Sequence, residues 1–155
     1  MKKIIAMLLV LMMSFSMTAF AAEEITVLID NEQIEFDVPP QIINERTMVP
    51  MRKIFETLGA TVEWYGETQL IFATRNELII VMEIGKPAFS VTNVITGETK
   101  TIELDSPPII IDERTLVPAR AISESIGYTV DWVQDTKTVL INSPIADITE
   151  ITDEQ

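Results

Sequence analysis

The chain has 155 residues, with 24 acidic side chains against 11 Lys and Arg and no His, for a net charge of −13 at pH 7. Such an excess repels phosphate backbones and anionic headgroups, which excludes nucleic acid and membrane surfaces as good partners and leaves basic proteins, cationic polymers and divalent cations; solubility alone also accounts for it. With no His and no Cys, the imidazole and sulfur ligands of copper, zinc and haem sites are missing, and so are disulfide staples.

In chain order, Met1-Lys2-Lys3 precedes an almost unbroken apolar run from Ile4 to Phe15, and Ala19-Phe20-Ala21 precedes the acidic pair Glu23-Glu24. A basic start, a moderate apolar stretch and small residues at the cleavage positions define a secretory signal peptide over residues 1–22, cut after Ala21 or Ala22. A retained anchor fits less well, because the run is short for a bilayer and no basic cluster follows it. Cleavage removes Lys2 and Lys3, leaving 9 basic residues against 24 acidic and a net charge of −15. The implied location is secreted or extracellular, with cell-wall association open and no membrane contact after cleavage.

Residues 23–142 read as the folded part. Ile25–Ile29 and Gln33–Val38 flank the turn signal Asp30-Asn31-Glu32, a hairpin. The segment 39–71, PPQIINERTMVPMRKIFETLGATVEWYGETQLI, recurs at a constant shift of 68 as 107–139, PPIIIDERTLVPARAISESIGYTVDWVQDTKTV, with 17 of 33 positions identical, so internal duplication is the plain reading. Pro50 and Pro118 suit a helix start. Met51, Ile54, Phe55 and Leu58 form one apolar face, which Ala119, Ile122 and Ile126 repeat more thinly, and Gly59 and Gly127 stop the helices. Helices of roughly nine residues are marginal alone and must lie on a sheet.

That sheet starts at Thr61–Trp64 and Thr129–Trp132, where Val62 and Trp64, and Val130 and Trp132, share a face expected to point inward. Turns at Gly66-Glu67-Thr68 and Gln134-Asp135-Thr136 lead to strands Gln69–Thr74 and Lys137–Asn142. Between the copies, Leu78–Ile84, Ala88–Val91 and Lys100–Leu104 are strands, and Thr92–Gly97 is the longest irregular stretch. The expected class is α+β, a largely antiparallel sheet wrapped on short helices, in two tandem ββαββ-like units over residues 25–75 and 78–142, followed by an acidic flexible tail over 143–155.

The doubled pattern P-P-x-I-I-x-x-R-T-x-V-P-x-R-x-I-x-E-x-x-G-x-x-V-x-W resembles the copper amine oxidase N-terminal domain family, also called the stalk domain. It covers nearly the whole mature chain, from Ile25 to Ile141. The resemblance implies an antiparallel sheet wrapping a helix, and a role outside the catalytic centre, since the domain is an appendage of the oxidases. Glu45 and Glu113 depart from the glycine usual there, and Tyr65 and Val133 follow the Trp where Asp is common.

No cofactor is expected, and copper least of all. The oxygen donors Asp30, Asn31 and Glu32 leave only a hard cation open, and the calcium-loop glycine and terminal glutamate are missing. Without His the usual nucleophilic triads cannot form. Glu56 and Glu124 are candidates for carboxylate-dependent hydrolysis, but Arg52 and Arg120 stand four residues before them, where a partly buried helix-spaced ion pair is the simpler account. Arg46 and Arg114 either hold an anionic ligand or tie a loop to a carboxylate or to backbone carbonyls. Trp64 and Trp132 either stack on carbohydrate or pack in the core. The repeat signature of Arg46, Pro50, Arg52, Glu56, Gly59, Trp64, Arg114, Pro118, Arg120, Glu124, Gly127 and Trp132 is therefore read as structural. The expected function is a non-catalytic, exported interaction or scaffold module that engages a cell-wall polymer or another exported protein. The alternatives are a small secreted hydrolase and an accessory or inhibitor subunit of a larger enzyme.

Overall fold

The computed structural model describes residues 24–144; the expected signal segment and most of the expected tail lie outside the described residues. In chain order the elements are β1 (Thr26–Ile29), β2 (Glu32–Gln33), β3 (Gln41–Ile43), β4 (Arg46–Pro50), α1 (Met51–Thr57), β5 (Thr61–Tyr65), β6 (Leu70–Arg75), β7 (Leu78–Glu83), β8 (Ala88–Asn93), β9 (Thr99–Glu103), β10 (Ile109–Ile111), β11 (Arg114–Pro118), α2 (Ala119–Ser125), β12 (Thr129–Val133) and β13 (Thr138–Asn142). The chain is α+β and mostly antiparallel, as expected. β5 to β9 form a meander, while β12-β13-β1-β2 and β10-β11-β4-β3 form two four-stranded sheets. The exception to antiparallel order is β1, which runs parallel to β13 with Val27 beside Val139.

The expected ββαββ units over 25–75 and 78–142 do not account for all the strands: four precede α1 and seven more lie between α1 and α2. The additional hairpins, β3–β4 and β10–β11, occupy stretches for which no element is expected from the sequence. Their turns are two residues long, Asn44-Glu45 and Asp112-Glu113, and all four residues have positive φ, from 47° to 63°. Those are the dihedrals of a tight hairpin turn whose twist matches its strands, normally served by Asn-Gly. Gln33–Val38, expected as a strand, pairs with β1 only as far as Ile34, whose N–H donates to the Val27 carbonyl at 2.9 Å, and the chain then runs to Pro39-Pro40, which cannot donate to a ladder.

β4 and β11 pair antiparallel at the centre of their sheet. Val49 lies opposite Val117, Met48 opposite Pro118 and Pro50 opposite Leu116. Val49 and Val117 are 68 positions apart, so the register is symmetric about that pair. Alternation gives this sheet two covered faces: Val49 and Val117 enter the main core, whereas Met48 and Leu116 join Val38 in a smaller cluster.

The two helices close the main core with Ile54, Phe55 and Ile122, each 0% exposed, against Val27, Ile71, Ile80 and Ile141. Each is seven residues long and begins one position after its proline. Both end the same way. Gly59 and Gly127 have φ of +80° and +95°. The Gly59 N–H donates to Glu56 O at 3.1 Å and the Ala60 N–H to Phe55 O at 2.8 Å; Gly127 and Tyr128 repeat this onto Glu124 and Ser123. This paired cap satisfies carbonyls that a short helix would leave open and turns the chain into the next strand.

Candidate functional site

Arg46 and Arg114, which open β4 and β11, each reach into the other segment. Arg46 Nε donates to Asp105 Oδ2 at 2.9 Å, and its Nη2 donates to the same oxygen. Arg114 Nε donates to Asp37 Oδ2 at 2.6 Å. Asp37 and Asp105 are themselves 68 positions apart, each two residues before a Pro-Pro pair. The two clasps are therefore reciprocal: each guanidinium fastens the proline corner ahead of the other segment. The Arg114 hydrogen bond is the leading cause holding the Asp37 carboxyl below the usual aspartate range, while desolvation opposes it. Arg46 and Arg114 also donate to the carbonyls of Glu45 and Glu113 at 3.2 and 3.3 Å.

Arg52 and Glu56 approach to 3.4 Å, and Arg120 and Glu124 to 3.7 Å. The helix-spaced pairs exist, but all four side chains are more than half exposed, which corrects the expectation of partial burial. Arg52 does more than its counterpart: its Nη1 also donates to the Val62 carbonyl at 3.1 Å, pinning α1 to β5.

Trp64 is 39% exposed, which corrects its expected inward placement, whereas Trp132 is partly buried and packs against the core. Val62 and Val130 do turn inward, to differing depths, but β5 and β12 are the outer strands of their sheets. Trp132 Nε1 donates to Gln134 Oε1 at 2.8 Å.

These residues meet in two open grooves of about 770 and 820 Å³, a size that suits a small ligand or a few residues of a peptide. The first groove has Pro50, Met51, Arg52 and Glu56 of α1 and its approach, with Trp64, on one side. On the other are Ile110, Glu113, Arg114 and Thr115 of the second hairpin. In the second groove the halves exchange roles: Pro118, Ala119, Arg120, Glu124 and Trp132 face Ile42, Glu45, Arg46 and Thr47. All twelve residues lining the first groove have a counterpart, 68 positions away, lining the second. Each groove is thus composite, built from both segments across the β4–β11 pair.

Glu35, Asp37, Glu103 and Asp105 were not singled out from sequence. They recur at the same shift but sit just ahead of the Pro-Pro that opens the readable repeat, where the intervening residues diverge. Ile42 and Ile110, 54% and 48% exposed, also line the grooves. Gly59 and Gly127 lie outside the grooves and serve only as caps.

Asp30, proposed above as an oxygen donor, is already engaged. Its Oδ1 accepts the Ser143 N–H at 2.7 Å and its Oδ2 accepts the Ser143 hydroxyl, which lowers its pKa and fastens the chain after β13 to the β1–β2 turn. No group of three or more acidic side chains among the described residues is arranged to hold a metal ion.

The model of the family described as copper amine oxidase N-terminal domain matches residues 28–143. The chain belongs to that family. It is also 25% identical over 129 residues to a protein named "Protease inhibitor" from Brevibacillus choshinensis. The match covers 81% of this chain and 36% of that protein, so the chain spans about a third of the relative's length.

Proposed function

We propose that the chain is a non-catalytic, exported interaction module of the cell envelope, which holds a wall polymer or another exported protein in its two grooves. The observation that carries this reading is the correspondence of the grooves, each setting a Trp ring against an exposed Ile beside ion-paired arginines. Aromatic and apolar side chains held at the surface by a rigid frame are the anchors from which recognition sites are built. The signal-like start supports export, and membership of an appendage family supports a role beside, rather than in, a catalytic centre. The hydrolase alternative fares worse: Glu56 and Glu124 line different grooves, and two carboxylates must flank one bond to cleave it. Co-sedimentation of the mature protein with purified walls, and chemical cross-linking to concentrated exported proteins, test the reading. Retention or a discrete cross-linked species is expected; a protein that stays free in both contradicts it.

A second reading, an inhibitor of an exported protease, is favoured by the name of the Brevibacillus relative. Ile95, 73% exposed on the turn between β8 and β9, is the side chain that such a role would first suggest. That turn is closed, with Gly97 N–H donating to Asn93 O at 2.8 Å and Asn93 Oδ1 accepting from Ile95 and Thr96. It therefore does not offer the extended backbone that cleavage clefts take. Stoichiometric inhibition of a secreted protease by the mature protein would establish this reading.

A further inference from the structure

Every arginine lining a groove already has a carboxylate of its own. In the first groove Arg114 is met by Asp37 and Arg52 by Glu56. In the second, Arg46 is met by Asp105 and Arg120 by Glu124. Setting those pairs aside leaves carboxylates without an ion pair among the described residues: Glu35 and Glu113 in the first groove, Glu103, Glu45 and Asp131 in the second. Glu113 and Glu45 hold φ of +63° and +60°, a conformation that strains any side chain where glycine is at ease. Beside these carboxylates stand the Trp ring and the exposed Ile.

We propose that the two grooves are two copies of one binding site, each receiving a basic side chain of an extended segment of a partner protein. This rests on the interaction-module reading above and names its partner. A Lys or Arg has the complementary shape, with an aliphatic stem to lie on Trp and Ile and a charged head to reach the free glutamate and the ring face. The chain's net charge of −13 steers such a partner toward it. A peptide is favoured over an amino-sugar polymer because β3 and β10, which carry Ile42 and Ile110, are the outer strands of their sheet, and an extended backbone can pair along such an edge. The sites differ at Lys53, which lines the first groove where Ala121 lines the second; the second also carries Asp131 and Lys137, whose opposite charges offset. The Lys53 cation competes with the ligand's own, so the second groove binds more tightly.

The test is calorimetric titration of the whole mature protein with a blocked synthetic hexapeptide of alternating leucine and lysine. An alternating leucine–glutamate peptide and a glucosamine oligomer serve as separate arms. Two lysine peptides are expected per chain, the tighter event severalfold stronger than the weaker. Trp132→Ala removes the tighter event and Trp64→Ala the weaker, while Glu45→Gln and Glu113→Gln each weaken one severalfold with the thermal midpoint retained. Lys53→Ala brings the two affinities together. One peptide per chain, no saturable binding, binding indifferent to both Trp variants, or equal binding of the glutamate peptide each overturns the proposal, as does preference for the glucosamine oligomer. Should the peptide fail while the protein still sediments with envelope material, the proposal falls and the interaction reading stands.

Discussion

Phe55 and Ser123 occupy the same place on their two helices, 68 positions apart, and both are 0% exposed. They carry opposite energetic signs. Removing the Phe55 ring leaves a cavity, so Phe55→Ala is expected to cost about 3–5 kcal/mol. The Ser123 hydroxyl is buried without a hydrogen-bond partner, so Ser123→Ala is expected to be neutral or stabilising; urea midpoints of the two variants check both. Exposed ion pairs contribute under about 1 kcal/mol. Arg120→Ala should accordingly barely move the midpoint, and Arg52→Ala should move it further because the Val62 carbonyl also loses its donor. Acid acts through Asp37, whose folded pKa is lowered chiefly by Arg114. The stability this contributes is present above the ordinary aspartate pKa of about 3.9 and is lost as pH falls through the lower folded value. Asp37→Asn should therefore flatten the acid limb of a stability-versus-pH curve below about pH 4, and an unchanged limb would contradict the clasp. At this scale the sequence showed the ion-pair partners of Arg52 and Arg120 through helical spacing. It hid those of Arg46 and Arg114, which lie 59 and 77 residues away, because no local period reports a contact of that range.

Elements here are short, and their ends decide whether they form. α1 and α2 have no side-chain hydrogen bond at their N-caps, and their C-terminal glycine caps supply what order they have beyond core packing. A Cβ at Gly59 or Gly127 would meet nothing within 4 Å, so the penalty for alanine there is conformational. Each substitution is expected to cost about 1 kcal/mol in thermal or urea unfolding. The opposite change at the hairpin turns, Glu45→Gly or Glu113→Gly, should raise the midpoint by relieving positive φ. The helices, their glycine stops and the strands after them were legible from 3.6- and 2-residue periods. The β3–β4 and β10–β11 hairpins were not, since three-residue strands bounded by prolines carry too few alternations, and turns with Glu in the glycine position lack the usual signal.

At the scale of the molecule, the first and last strands of the described residues lie side by side in the middle of one sheet. β1 lies parallel to β13, Asp30 accepts from Ser143, and Val27 is 0% exposed in the core. The antiparallel class and the doubling at a shift of 68 could be read from sequence alone. The exchange of partners across β4 and β11 could not, because a recurrence tells which positions are equivalent and not which segment each one faces. That exchange makes the grooves composite, and composite grooves are what the interaction reading rests on. Trp64 and Trp132 are the two tryptophans of the chain, one per groove, so their indole N–H signals in a proton–nitrogen NMR spectrum report the sites separately. The most direct measurement is to titrate the labelled mature protein with solubilised cell-envelope material and follow both signals. Progressive, saturable shifts of the two indoles, accompanied by backbone amides of Ile42 and Ile110, are the predicted result; indoles that stay in place while amides elsewhere move would contradict the account.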